Sequence, residues 1–118
     1  MSLSLTMLKF YVPAKNFELS KRFYAALGFT MSPGWGGTAD FELGGHQFRL
    51  QDYYVKDWAE NCMMLLDIDD AQAWHTHAQR VVSSGDFPGA RVKPPETIDD
   101  SLVFHVWDPS GVLLVFVQ

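Results

Sequence analysis

The chain has 118 residues, of which 47% are hydrophobic, and a formal net charge of −5. This is enough apolar material for the core of one domain, and the acidic balance without any Lys/Arg cluster excludes nucleic acid as an expected partner. No apolar run approaches the length that spans a bilayer, and the N-terminus lacks the basic region of a signal peptide. A single cysteine, Cys62, excludes an internal disulfide. We therefore expect one cytoplasmic domain over 1–118, with no membrane partner.

The first half of the chain predicts a strand, a helix and a hairpin. Residues 8–12 are aromatic and β-branched, which indicates a strand. A helix is expected from the N-cap Asn16 to Gly28, with an apolar stripe at helical spacing. Alternating polarity on either side of two glycines predicts a hairpin over 41–51.

The second half repeats this order. Residues 63–68 predict a strand, and Asp69 or Asp70 is expected to cap a helix that ends at Ser83-Ser84-Gly85. A short strand is expected over 90–92. Landmarks in the two halves recur at a nearly constant offset, which indicates an internal duplication. The prediction is an α+β fold of two βαβββ modules, about 5–55 and 61–118, whose mostly antiparallel sheets form a concave cleft.

A closing hairpin is predicted around Asp108-Pro109-Ser110-Gly111, because proline and glycine favour turn conformations. If these four residues form the turn, Trp107 faces Val112 and Phe104 faces Val115. Strand alternation then directs His105 to the opposite face.

Several segments resemble the vicinal oxygen chelate superfamily, which includes glyoxalase I, extradiol dioxygenases and bleomycin-resistance proteins. The segment Phe10-Tyr11-Val12, Ser20, Phe23-Tyr24 and Leu27-Gly28-Phe29 resembles its opening signature. Asp69-Asp70 with Ala71 and Trp74 resembles the start of its second module, and residues 104–116 resemble the closing hairpin of the bleomycin-resistance branch. The resemblance implies paired βαβββ modules, usually in a homodimer and often with modules exchanged between chains.

The resemblance also implies where a metal would be held. Enzymes of the superfamily bind a divalent metal through His, Glu or Gln, and these positions correspond to Met7, Arg49, Met63 and Val115, with Gln51 in place of Arg49 if the register shifts by two. Two thioethers, a guanidinium and an isopropyl group cannot hold such an ion. We therefore expect no metal, no cofactor and no catalytic residue of the family type.

The four histidines are the remaining candidate metal ligands. His46 lies in a glycine-rich turn, and His75 and His77 are expected on the solvated face of the second helix, pointing in different directions. His105 is expected to have a structural role. A metal-dependent lyase or dioxygenase resembling glyoxalase I, with ligands such as His105 or His46, stays open as an alternative.

A ligand cleft is predicted from strand alternation and from aromatic residues in loops. Its lining is apolar and aromatic with a few charges, as is usual for small-molecule sites. The candidate ligand-binding residues are Met7, Lys9, Tyr11, Trp35, Arg49, Gln51, Tyr53, Trp58, Met63, Leu65, Phe104 and Val115. Asp67, Val106 and Val117 are expected on the same surface, and the loop over 53–58 could close over it. For Met7, Met63 and Leu65, packing in the core or in a dimer interface is an equal alternative.

The leading hypothesis is therefore a non-catalytic binding protein. It would sequester a planar or cationic aromatic small molecule in a cleft associated with a homodimer. Besides the metal enzyme, a dimeric domain without any small-molecule role is a further alternative, and it predicts a cleft filled by the chain's own side chains.

Overall fold

A computed structural model of the chain describes residues 2–118, which form nine strands and three helices. In chain order these are β1 Tyr11–Pro13, α1 Phe17–Leu27, β2 Thr30–Pro33, β3 Ala39–Leu43, β4 His46–Gln51, α2 Lys56–Asn61, β5 Met63–Asp67, α3 Ala71–Ser83, β6 Arg91–Val92, β7 Glu96–Ile98, β8 Ser101–Trp107 and β9 Leu113–Val117. A 3₁₀ turn at Trp35–Gly37 connects β2 and β3.

The strands form two separate sheets. Module one, residues 11–51, has the strand order β1-β4-β3-β2, and module two, residues 63–117, has the order β5-β9-β8-β6 with β7 also paired to β8. In each module the first strand lies at an edge and runs parallel to the last, while the other pairs are antiparallel. The α+β class and the two modules are confirmed, and module two has one short strand more than the predicted βαβββ order.

Both long helices begin and end as predicted. The Asn16 side chain accepts a hydrogen bond from the Leu19 amide at 3.1 Å, and Asp70, the second of the two candidate caps, accepts one from Ala73 at 3.0 Å. Gly28 ends α1 with a φ of 126°, a conformation that a side chain would disfavour. Within residues 2–118, no helix is both long enough and apolar enough to cross a bilayer.

Each sheet buries one face, and aromatic rings dominate both cores. In module one, Tyr24 of α1 lies edge-on to Phe48 of the sheet, with ring centroids 4.8 Å apart. In module two, Phe104 and Phe116 stack at 4.6 Å, and Trp74 of α3 lies 5.1 Å from Phe116. α1 and α3 contact each other. The face opposite each core, which we call the uncovered face, carries Arg49 in module one and the exposed Met63 and Leu65 in module two.

Hydrogen bonds join α1 and the residues just before it to the closing hairpin of module two, and the one from Tyr24 is buried. The Tyr24 hydroxyl donates to Asp108 Oδ2 at 2.6 Å, and the Lys15 amide donates to Ser110 Oγ at 2.9 Å. Burial raises the pKa of Tyr24 well above its ordinary value, and the nearby Asp108 carboxylate adds to that shift. Burial also raises the pKa of Asp108, against the lowering effect of its hydrogen bonds.

The connection of the closing hairpin is one residue longer than predicted, so the strand register differs by one residue. Trp107 pairs with Leu113, so residues 108–112 form the connection. The longer connection is stabilised by Asp108 Oδ1, which accepts the amides of Ser110 at 2.8 Å and Val112 at 3.0 Å. A slip of one residue exchanges the faces of a strand. The predicted orientations of Phe104 and His105 are therefore both wrong.

Other boundaries differ as well. The predicted strand over 8–12 begins only at Tyr11, and the side chains before it are uncovered, with Leu8 77% exposed. Without an apolar surface to pack against, that segment gains little from strand structure. The loop expected over 53–58 is partly helical, because α2 begins at Lys56. Strands β2 and β7 had no predicted counterpart.

Candidate functional site

The uncovered face of module two is apolar and ordered in rows across three strands. His105, Val115 and Leu65 are successive register partners in β8, β9 and β5. The next row is formed by Trp107, Leu113 and Met63. We call these six residues the module-two face. Met63 is 62% and Leu65 65% exposed, so the face presents large apolar side chains to solvent.

Basic side chains surround the indole at one edge of this face. Arg91 of β6 is the register partner of Trp107, and its guanidinium carbon lies 4.3 Å from the indole centroid. Lys93 Nζ lies 6.0 Å from the same ring. The His105 ring is nearly parallel to the indole, with centroids 6.0 Å apart. This edge therefore combines aromatic faces with cationic groups.

The uncovered face of module one carries a compact ion-pair network. Tyr11, Arg49 and Asp40 are register partners across β1, β4 and β3. Arg49 donates to Asp40 from Nε at 2.7 Å and from Nη2 at 3.0 Å, and Lys9 Nζ lies 2.8 Å from Asp40 Oδ2. Hydrogen bonds from Arg49, followed by that from Lys9, lower the pKa of Asp40 to about 2, against the effect of burial. The same carboxylate raises the pKa of Arg49.

An open groove of about 260 Å³ lies where β4 and β5 begin. It is lined by Phe10, Phe29, His46–Phe48 and Met63–Leu66. Both modules contribute to its walls, and Met63 and Leu65 belong to the groove and to the module-two face.

The structure brings together only part of the predicted binding set in module two. Met63, Leu65 and Val115 share the module-two face. Phe104 does not: it is fully buried, and its ring lies 5.3 Å from that of His75 on α3. The prediction that Phe104 and Val106 line the cleft is therefore wrong, and the one-residue difference in hairpin register is the reason.

In module one, Lys9 joins the ion-pair network while Tyr11, Arg49 and Gln51 lie along the adjoining strands β1 and β4. Tyr11 is held by Arg49, whose guanidinium carbon lies 5.8 Å from its ring centroid. Met7 lies before β1, in a segment without regular secondary structure, and is 47% exposed.

The predicted aromatic loop residues do not converge. Trp35 is 79% exposed in the 3₁₀ turn and Tyr53 is 58% exposed, and neither lines the groove. Trp58 is on α2 and packs against the core, so its predicted place in a mobile loop over the cleft is wrong. The helical turn that begins at Lys56 directs this residue inward.

Two histidines are placed differently from the prediction. His77 Nε2 lies 3.0 Å from the Ala26 carbonyl oxygen and 3.1 Å from that of Leu27, so it contacts the end of α1. His75 is half-buried on Phe104, and among the described residues its Nε2 has no hydrogen-bond partner. The predicted solvated face is wrong because α3 packs between the module-two sheet and α1.

The residues at the superfamily's metal positions do not fit a divalent metal. Arg49 uses two of its donors on Asp40, and Met63 and Val115 offer a thioether and a hydrocarbon on an apolar face. Across residues 2–118, no three His, Cys, Asp or Glu side chains are grouped so that they could hold an ion. Burial raises the pKa of the Cys62 thiol, which disfavours a thiolate nucleophile.

Four residues of these faces were missed at the level of sequence: Asp40, Arg91, Lys93 and Trp107. The pairing of Asp40 with Arg49 follows from a hairpin centred on Gly44-Gly45, so that signal was available. The position of Trp107 depended on the length of the closing turn, which the side-chain hydrogen bonds of Asp108 help to stabilise.

The fold, with its paired α+β modules, is shared by several solved structures. Solved structures match it along nearly the whole chain. The hypothetical protein SA1046 from S. aureus is 17% identical, with a TM-score of 0.77 and coverage of 96% of both chains. The bleomycin-binding protein from Streptomyces verticillus, in its complex with copper(II)-bleomycin, is 21% identical, with a TM-score of 0.76 and coverage of 96% of this chain and 97% of that chain.

TnmS3, an antibiotic-binding protein from Streptomyces sp. CB03234, is also similar, with 21% identity, a TM-score of 0.73 and coverage of 99% of this chain and 98% of that chain. No protein-family model and no curated protein sequence matches the chain. At these identities the likeness defines the fold. It is the fold found in the bleomycin-binding proteins, as the closing hairpin indicated.

Proposed function

We propose that this protein is a non-catalytic, cytoplasmic binding protein that holds a planar small molecule against the module-two face. The observation that carries the proposal is the pair of exposed side chains Met63 and Leu65 on a regular strand, in rows with Val115 and Leu113. Large exposed apolar patches are uncommon on monomeric proteins and mark interaction sites. Adaptable Met and flat aromatic rings suit a planar, apolar ligand.

The chemistry of the metal positions supports a binding role rather than a reaction. Arg49 is ion-paired and Val115 is apolar, so neither position can supply a ligand for the metal that the superfamily's enzymes use. The bleomycin-binding and antibiotic-binding proteins that share the fold support the same reading.

We further propose that the protein is a homodimer. The edge strands β1 and β5 have unpaired outer sides, and exposed sheet edges are normally covered or paired. The segment before β1 carries Leu3 and Leu5, which are 88% and 77% exposed. A second copy would bury these two side chains.

Isothermal titration against bleomycin and a panel of planar aromatic compounds tests the binding role. We expect binding by the native protein and its loss in Leu65→Asp, which places a charge in the middle of the face. Met31→Asp is the matched control, because Met31 is 48% exposed on β2, away from that face. Absence of binding across the panel would contradict the proposal.

Light scattering tests the dimer independently. A dimer has twice the chain mass of 13.4 kDa. A monomer at micromolar concentration would contradict this part of the proposal without affecting the binding role. Metal analysis of protein purified without chelators tests the alternative: stoichiometric metal would favour the enzyme.

A further inference from the structure

We propose that the edge of the module-two face at Trp107 selects an anionic group, so that the ligand is a planar molecule carrying a carboxylate, sulfonate or phosphate. This inference rests on the proposed function and replaces the expected cationic ligand. The juxtaposition that carries it is Arg91 stacked on Trp107, with Lys93 beside the same ring.

Stacking on the indole holds the Arg91 guanidinium while leaving its N–H donors available. The guanidinium carbon lies 4.3 Å from the ring centroid, within the range of a favourable cation–π contact. An arginine held in this way presents a planar fork of donors, which matches the two oxygens of a carboxylate or a phosphate. The indole therefore acts as a support that positions the cation.

Neither cation is neutralised by a neighbouring acid. The four ion pairs among residues 2–118 involve other residues, and neither Arg91 nor Lys93 donates a side-chain hydrogen bond there. The acidic residues in the strands of this sheet are Asp67 and Glu96, and both lie in the row of Val103 and Val117. That row is four residues along β8 from Trp107, or about 13 Å at the usual rise per residue.

Arg49 in module one differs from Arg91 because it is already paired with an acid. Its guanidinium donates twice to Asp40, and Lys9 binds the same carboxylate, so this network already contains its anion. The two arginines thus have opposite states: Arg49 is satisfied within the protein, and Arg91 is supported but unpaired. Although the chain is acidic overall, the local charge at Trp107 is positive.

The apolar rows explain why the anion should belong to a planar molecule. Leu113 and Met63 continue the row of Arg91 and Trp107 across the sheet. A flat ring system lying on this row would place a terminal anionic substituent at Arg91. Apolar contact would supply most of the affinity, and the charged edge would supply orientation and selectivity.

Three two-ring probes of similar size test the inference: naphthalene-2-sulfonate, neutral 2-naphthol and cationic N-methylquinolinium. We expect the native protein to bind the sulfonate about tenfold more tightly than the cation. The double variant Arg91→Gln/Lys93→Gln should abolish this preference and leave the affinity for 2-naphthol unchanged. Arg22→Gln, an exposed arginine on α1, is the matched control. The preference should also shrink as salt is raised.

The outcomes separate this inference from the proposed function. If all three probes bind equally, or if the double variant keeps the preference for the sulfonate, the anion site is refuted and the binding role stands. If no probe binds, both fail. If the double variant changes the oligomeric state instead of the affinity, Arg91 and Lys93 serve a contact between copies, and the anion site is again refuted.

Discussion

His105 and Val115 lie opposite each other in β8 and β9, so both side chains belong to the uncovered face of module two. One residue of turn length produces this arrangement, since a connection over 108–112 exchanges the faces that a four-residue turn would give. As a result the histidine is placed on the candidate binding surface and Phe104 in the core. This register therefore determines which side chains a ligand on that face would contact.

Phe104→Ala should therefore act on stability. Phe104 is fully buried and stacked on Phe116, so its truncation leaves a cavity. We expect a loss of about 3–5 kcal/mol in the free energy of unfolding, measured by urea titration. Val115→Ala, on the uncovered face, should cost about 1 kcal/mol or less. Similar losses for the two variants would contradict the register.

His105→Ala should act on binding. Its ring lies beside Trp107 and next to Val115, so a planar ligand on this face would contact it. The affinity for 2-naphthol should fall roughly three- to tenfold, the range of an aromatic stacking contribution. His46→Ala is the comparison, because His46 lines the groove between the modules. A larger effect for His46 would place the ligand in that groove instead.

Tyr24→Phe should destabilise the contact between α1 and the closing hairpin. The variant removes a buried hydrogen bond to Asp108 of 2.6 Å and leaves that carboxyl without its phenol donor. The expected loss is about 1–3 kcal/mol in the free energy of unfolding. Tyr53→Phe is the control, since Tyr53 is 58% exposed and should change stability by less than about 0.5 kcal/mol. Equal losses of stability in the two variants would contradict a stabilising role of the buried hydrogen bond.

The ion-pair network of module one should make the stability of the protein depend on pH in the acidic range. The pKa of Asp40 is lowered from 3.8 to about 2 in the folded chain. A lowered folded-state pKa stabilises the fold above the unfolded pKa, and this contribution is lost as pH falls towards the folded value. Asp40→Asn should therefore be less stable than the native protein at pH 5, and the difference should vanish between about pH 4 and pH 2.

Urea titrations of both proteins across that range provide the measurement. Glu18→Gln is a suitable control, because Glu18 pairs with Lys21 on the exposed surface of α1. A stability difference that stayed constant down to pH 2 would show that the Asp40 pKa is not lowered by the network.

Much of this fold follows from local signals in the sequence. The caps Asn16 and Asp70, the stop at Gly28 and the glycine turn of the first hairpin determine α1, α3, β3 and β4. Helix caps, glycine stops and tight turns depend on a few neighbouring residues, so they can be predicted from the sequence. The repeat of the same order in both halves was sufficient to predict the paired modules.

The candidate site was predicted less well because it depends on distant pairings. The closing turn carries Asp108, whose side chain binds two amides of the turn and the hydroxyl of Tyr24 in the other module. That long-range bond is not visible in a local pattern. The inward position of Trp58 likewise depends on the packing of α2 against the core.

Mapping of backbone amide chemical shifts during titration with naphthalene-2-sulfonate tests the central claim most directly. Binding on the module-two face predicts shifts concentrated at Leu65, His105, Trp107 and Val115, with Arg91 among the largest. Shifts confined to α1 and α3, or to the ion-pair network around Arg49, would contradict binding on this face.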